Sequence, residues 1–289
     1  MKNIFKLDYA PHFGSFEASA GKDPIDQLKY MADLGFKAFE DNGFTGTQMT
    51  DLMGIGMLGQ PTQLLNKIGE TLVNLEMKMG TFVLGPTFWP PVATLASGNV
   101  EWRNKFLEQC RAAVEVAKRL NGNIVTVVPD AYDYSLPKDI QTANVIEGLR
   151  MACDIFEPHH ITMVLEPLSY PPQVFLKTSA ECYLLAKAVN SQYCTILFDM
   201  YHLQRNEGRL LYHLDLVWDE IGYFQIGDEP GRKEPTTGEI NFKTILKYIH
   251  QKAKADNRHF IFGMEHYNSK EGIQGEQAVI DAYLEVDDF

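Results

Sequence analysis

Only four of the 289 residues are cysteine: Cys110, Cys153, Cys182 and Cys194. No two stand in C-x-x-C spacing, so neither a zinc knuckle nor a thioredoxin-type redox motif is present. Four is also too few for a disulfide scaffold in a chain of this length, and they read as buried free thiols. Long apolar runs are missing too. No stretch reaches the roughly 18 residues of a membrane-spanning helix, and the most apolar region, Thr81 to Ala96, is broken by Pro86, Pro90 and Pro91. Bases are scarce against acids: 26 Lys and Arg face 38 Asp and Glu, for a net charge of −12. Gripping nucleic-acid phosphates needs a basic face, and anionic membranes attract cations, so both are disfavoured as partners. Neither G-x-G-x-x-G after the first strand nor G-x-x-x-x-G-K-[ST] occurs, which removes the glycine-rich phosphate cradles. The N-terminus lacks the basic, apolar and small-residue regions of a secretory leader. The expectation is a cytoplasmic protein, or one whose leader has been removed.

What is present is alternation. Short apolar runs predict strands at 4–10, 37–40, 78–84, 124–128, 162–165, 194–198, 223–227 and 260–264. Segments with helical spacing follow them, at 24–34, 60–75, 100–120, 139–156, 179–189, 210–219, 242–255 and 276–284. No linker or composition shift divides the chain. Repeated β-then-α units imply a parallel sheet covered by helices. Eight units in 289 residues predict a single (β/α)8 TIM barrel over residues 1–289 better than a Rossmann-like sheet with an added domain.

Barrel active sites lie at the C-terminal ends of the strands. The late strands end in Glu166, Asp199, Gln225 and Glu265, with Asp228 three residues beyond Gln225. One such carboxylate often caps a helix or pairs with an arginine; oxygen-bearing side chains on four consecutive strands converge on one rim. Converging carboxylates repel unless a cation or protons neutralise them, and all-oxygen ligation favours Mg²⁺ or Mn²⁺ over zinc. Gln225 and Asp228 are alternative ligands from strand seven. His202 is read in a short loop beside Asp199. Arg232 could neutralise a substrate carboxylate or bond a sugar hydroxyl, or pair within its loop with Glu234 or Glu239. Tyr9, His12, Glu40, Trp89 and His266 also fall near strand ends, where packing is the default role. Of these, Glu40 and Trp89 are carried forward as substrate contacts, Trp89 as an apolar wall.

The segments L-E-P-L at 165–168, L-F-D-M-Y-H-L-Q at 197–204, F-Q-I-G-D-E-P-G-R-K-E-P-T-T-G-E-I-N-F at 224–242 and G-M-E-H at 263–266 resemble the hydroxypyruvate isomerase family. That family belongs to the xylose-isomerase-like barrels, which also include the ketose 3-epimerases and endonuclease IV. The match is specific from about residue 160 onward; the first 130 residues match only in barrel pattern. The resemblance implies a divalent metal held by Glu166, Asp199, Gln225 and Glu265. It implies that Glu166 and Glu265 double as acid/base residues, and that His202 and Arg232 bind substrate oxygens. Ketose 3-epimerases usually carry a further Glu six residues after the first metal-binding Glu, where this chain has Pro172. The endonuclease branch needs several histidines and a basic surface, which the charge opposes.

The expected reaction removes the proton next to a carbonyl and returns it. Return to the adjacent carbon interconverts ketone and aldehyde; return to the opposite face of the same carbon epimerises it. The expectation is therefore a metal-dependent isomerase of hydroxypyruvate or a sugar. A ketose 3-epimerase and a non-catalytic sugar-acid binding protein are the alternatives. A homo-oligomer is expected by analogy with related barrels.

Overall fold

Eight parallel strands form one sheet in the order β1-β8-β7-β6-β5-β4-β3-β2. The computed structural model describes residues 4–41, 56–84, 91–129 and 131–289. The strands are β1 (Asp8–Ala10), β2 (Ala38–Asp41), β3 (Lys78–Val83), β4 (Ile124–Val127), β5 (Thr162–Leu165), β6 (Cys194–Asp199), β7 (Ile221–Gln225) and β8 (Ile261–Gly263). The α-helices are α1 (Glu17–Ala20), α2 (Pro24–Asp33), α3 (Thr62–Asn74), α4 (Val100–Leu120), α5 (Lys138–Phe156), α6 (Ser179–Val189), α7 (Met200–Asn206), α8 (Leu210–Val217), α9 (Phe242–Ala255) and α10 (Gly272–Asp287). β1 and β2 are not laddered to each other. The Glu40 N–H nevertheless donates to Pro11 O at 3.1 Å across that seam, so the sheet closes into a nearly complete (β/α)8 barrel.

Local chemistry sets the helix limits. Asp23 caps α2 by accepting from the Ile25 and Asp26 N–H groups, with Pro24 as the first helical residue. Thr178 and Glu181 form a capping box at the start of α6. α4 stops at Asn121, which takes the left-handed conformation at φ 53°. Two expectations are corrected. The first strand is limited to Asp8–Ala10, the stretch that finds partners on β8, and Ile4 is 42% exposed. The segment after β6, read as a loop, is the helix α7, whose N-cap is Asp199.

The side-chain alternation of the strands separates two cores. Phe39, Met163, Leu165, Phe198, Phe224 and Phe262 join the large cluster packed with the helices. Ala10, Ala38, Val164, Leu197, Tyr223 and Ile261 form a second, smaller cluster, which is the filling of the barrel. Two residues further along these same strands stand Glu40, Glu166, Asp199 and Gln225, and Glu265 stands four beyond Ile261. Period-two geometry therefore sends all five inward, four of them one layer above the apolar filling and Glu265 one layer higher, over Gly263. β7 keeps this phase despite a register shift against β6 between Ile196 and Leu197.

Candidate active site

The inward layer at the barrel mouth gathers carboxylates. Glu166, Asp199, Gln225 and Glu40 are each at most 5% exposed, and the Glu265 side chain is 12% exposed. Asp199 spends Oδ1 on the α7 N-terminus, accepting from Tyr201 N–H at 2.7 Å and His202 N–H at 3.0 Å. Its Oδ2 is left for the site. His202 thus rides on a capped helix, which fixes its position more firmly than the expected loop would. Its Nε2 lies 3.7 Å from Asp199 Oδ2 and 3.9 Å from Glu166 Oε1. Among the described residues, Glu166, Asp199 and His202 are the group whose potential ligand atoms lie within 4.8 Å of one another.

Arg232 reaches in from the loop after β7. Its Nη2 donates to Glu265 Oε1 at 2.7 Å and lies 3.4 Å from Asp199 Oδ2. Its Nη1 donates to the Tyr170 hydroxyl at 2.7 Å and its Nε to Glu265 O at 3.2 Å. The guanidinium also lies over the Tyr201 ring, 5.0 Å from its centroid. Arg232 adopts a left-handed φ of 49°, held by its N–H on Asp228 O and by its own carbonyl accepting from Tyr267 N–H. The sequence offered Glu234 or Glu239 as loop partners for this arginine. Both are engaged elsewhere, Glu234 by Ser269 and Glu239 by Gln204.

Gln225 and Asp228 separate by what they already bind. Asp228 accepts from Gly238 N–H at 2.8 Å through Oδ2 and from Ile240 N–H at 3.1 Å through Oδ1. It ties down the loop that carries Arg232. Gln225 Oε1 is buried and has no hydrogen-bond partner among the described residues, and the same holds for Glu265 Oε2 and Glu40 Oε1. Buried acceptors left open in this way are costly unless something binds them. Glu40 lies deeper than a rim contact. Its Oε2 accepts from the Tyr223 hydroxyl at 3.0 Å, and its carboxyl fills the space that a side chain at Gly263 would need, with Oε2 only 1.9 Å from an ideal Cβ. Trp89 lies outside the described residues. Tyr9 bonds Asp287, His12 faces the carbonyls of Phe13 and His266, and His266 contacts the Tyr283 hydroxyl. All three side chains are buried.

The electrostatics are those of crowded like charges. Burial, then the charges of Glu265 and Asp199, hold the Glu166 carboxyl well above the usual range. Burial raises Asp199 against the opposing pull of Arg232 and two backbone N–H groups. Burial lifts Glu265 to about 7, opposed by Arg232 and reinforced by Asp199. Glu40 is pushed well up by burial and then by Glu265. His202 is driven well below its ordinary value by burial, then by Arg232. Four carboxyls share one guanidinium, so protons or a second cation must balance them. The residues present suit a cation: Glu166 and Asp199 come close together beside His202, and Gln225 Oε1 and Glu265 Oε2 are buried oxygens without a hydrogen-bond partner among the described residues.

Sequence reasoning missed Ser169, Tyr170, Tyr201 and Tyr223. Ser169 and Tyr170 stand three and four residues after Glu166 in the loop after β5, and that position in the chain was the available signal.

The family model for xylose isomerase-like TIM barrels matches residues 28–283. Hydroxypyruvate isomerase of Escherichia coli (strain K12) is 29% identical over 186 residues, covering 64% of this chain and 69% of that protein. A 2-oxo-tetronate isomerase of Pectobacterium atrosepticum is 31% identical over 136 residues, covering 46% of this chain and 52% of that protein. The crystal structure of a 3-keto-D-glucoside 4-epimerase of E. coli superimposes with a TM-score of 0.73 at 17% identity, over 97% of this chain and 99% of that one; at that identity the likeness shows the fold. The chain belongs to the xylose isomerase-like TIM barrel family, and its relatives of curated function place it among the isomerases of that family.

Proposed function

We propose that the protein is a divalent-metal-dependent isomerase that interconverts the ketone and aldehyde forms of a short hydroxy-carbonyl compound, hydroxypyruvate or a small sugar. The observation that carries this reading is the layer of five inward oxygen-bearing side chains at the barrel mouth, three of them with a buried oxygen unpartnered among the described residues. A divalent ion bound by Glu166, Asp199, Gln225 and Glu265, Mg²⁺ or Mn²⁺ for an all-oxygen set, would supply Lewis-acid polarisation of the substrate carbonyl. Glu166 and Glu265 project from the ends of β5 and β8 and act as the acid/base pair. One takes the proton next to the carbonyl, its partner supplies a proton to the neighbouring carbon, the hydroxyl proton passes to the former carbonyl oxygen, and the two carboxyls regain their starting states by proton exchange with solvent. Arg232 and His202 orient substrate oxygens, Arg232 while restraining the Glu265 carboxyl.

Incubation in D₂O with Mg²⁺ or Mn²⁺ and a panel of hydroxypyruvate, tartronate semialdehyde, 2-oxo-tetronate, free ketoses and aldoses, followed by NMR, tests the reading. Deuterium entering next to the carbonyl, with aldehyde–ketone interconversion, is the expected result. Deuterium with inversion at the same carbon would replace isomerisation by epimerisation. No exchange with any panel member, in protein shown to hold metal, would sink the proposal.

A further inference from the structure

Ser169 presents two groups to one nitrogen of His202. Its backbone N–H lies 3.1 Å from Nδ1 and its hydroxyl oxygen 2.8 Å from the same atom. A backbone N–H can only donate, so Nδ1 must offer its lone pair, and in a neutral imidazole the proton then sits on Nε2. A nitrogen that accepts from a backbone N–H carries no proton, so the doubly protonated cation is excluded and the ring is neutral. We propose that Ser169 is a positioning residue that locks His202 as the Nε2–H tautomer, so that the imidazole brings a hydrogen-bond donor, not a metal-binding lone pair, to the gap between Glu166 and Asp199. The inference rests on the functional reading above and sharpens it.

Two consequences follow. The proximity of His202 to Glu166 and Asp199 is not ligation, since a protonated Nε2 has no lone pair to give; the metal set is all oxygen. Among the described residues the N–H also has no hydrogen-bond acceptor. Its distances of 3.7 and 3.9 Å to the two carboxylates are too long for hydrogen bonds, so the donor is held for an oxygen that enters the gap, a carbonyl or hydroxyl of the substrate. The α7 cap supports this arrangement. Asp199 holds the His202 backbone N–H at 3.0 Å, which fixes the root of the ring while Ser169 fixes its far edge.

The test is a long-range ¹H–¹⁵N correlation spectrum of the ¹⁵N-histidine protein, with His202 assigned by its loss in His202→Gln. The expected pattern is a protonated Nε2 and an unprotonated Nδ1, both before and after Mg²⁺ is added. A protonated Nδ1, or an Nε2 that loses its proton on metal addition, overturns the proposal. Ser169→Ala removes the hydroxyl and leaves the N–H, and is expected to raise the Nδ1–H population; an unchanged spectrum overturns the hydroxyl's part. In turnover, His202→Gln carries an amide donor near the Nε2 position, whereas the amide of His202→Asn falls near Nδ1. The Gln variant should keep about tenfold more kcat/KM, and equal losses count against a donor at Nε2. The spectrum needs no turnover, so failure of every substrate would sink the functional reading and leave the tautomer result standing.

Discussion

The two ends of the barrel handle buried charge in opposite ways. At the N-terminal ends of the strands, Asp8 at the start of β1 meets Lys78 Nζ at 2.9 Å and His259 Nε2 at 2.8 Å. Arg258 donates to the carbonyls of Trp218 and Ile221. Burial pushes the Asp8 carboxyl up, but the bonds and charges of Lys78 and His259 more than reverse this, and its pKa is lowered. At the C-terminal ends, Glu40, Glu166, Asp199 and Glu265 face one guanidinium and every one of their pKa values is raised. The base is arranged so that its charges are matched when the protein stands alone. The mouth is arranged so that they are not, and the mismatch is available for a cation, a substrate and proton transfer. This is the division of labour expected of barrels, stability below and chemistry above.

The largest break in the comparison is chemical. Glu166→Gln or Glu265→Gln keeps the shape and removes the proton acceptor. Each should lower kcat by about 1,000-fold, measured by deuterium exchange on the best panel substrate, with ligand binding largely kept. Near wild-type activity in either variant would remove the two-carboxylate mechanism. The next effect is on stability. A carboxyl whose folded pKa is raised binds its proton more tightly in the folded state. Its stabilisation is full below the ordinary value of 4.5 and is lost as the pH rises through the folded value of about 7. In metal-free protein Glu265 alone therefore favours pH 5 over pH 8 by on the order of 3 kcal/mol, while the buried His12, His202 and His266, with lowered values, act the other way. The Glu265 part is thus read as the difference between the parent and Glu265→Gln in urea titrations with chelator present. A difference that does not change with pH would show that Glu265 is not held protonated. Gly263→Ala sharpens the same point sterically. The new Cβ would meet the Glu40 carboxyl at 1.9 Å and should cost about 2 kcal/mol, read as a lower urea midpoint. An unchanged midpoint would mean that Glu40 has room to move.

Much of this was legible in the sequence because the barrel repeats one local rule. The limits of α4, α6, α9 and β5 match their apolar periodicity residue for residue, and the inward oxygens follow from counting in twos along β5, β6 and β7. What escaped is what the third dimension adds. The seven residues of α7 are too few for a periodic signal, and Asp199 reads as a strand end until its backbone donors are seen. Arg232 reads as a clamp for a substrate carboxylate, yet no spacing tells that a left-handed residue in its loop meets Glu265, 33 positions away. Ser169 is an unremarkable loop serine until the ring of His202 arrives beside it.

The smallest predicted effect lies at the other end of the barrel. Asp8→Asn removes the charge that Lys78 and His259 face. Those partners are 53% and 65% exposed, so water screens most of the attraction and the loss should be about 1 kcal/mol at pH 7. A lowered carboxyl contributes its stability above the ordinary value of 3.8 and loses it as the pH falls through the folded value. The difference between Asp8→Asn and the parent should thus close on acidification, whereas the Glu265 part grows over the range from pH 8 to pH 5. Salt should shrink it as well, because the partners are open to counter-ions. kcat should not change, since the altered charge lies at the far end of the strands from Glu166 and Glu265. Urea titrations at several pH values, paired with exchange kinetics at pH 7, check both halves. A variant that loses turnover while keeping its stability would mean that the two ends are coupled and that the separation of stability from chemistry does not hold in this barrel.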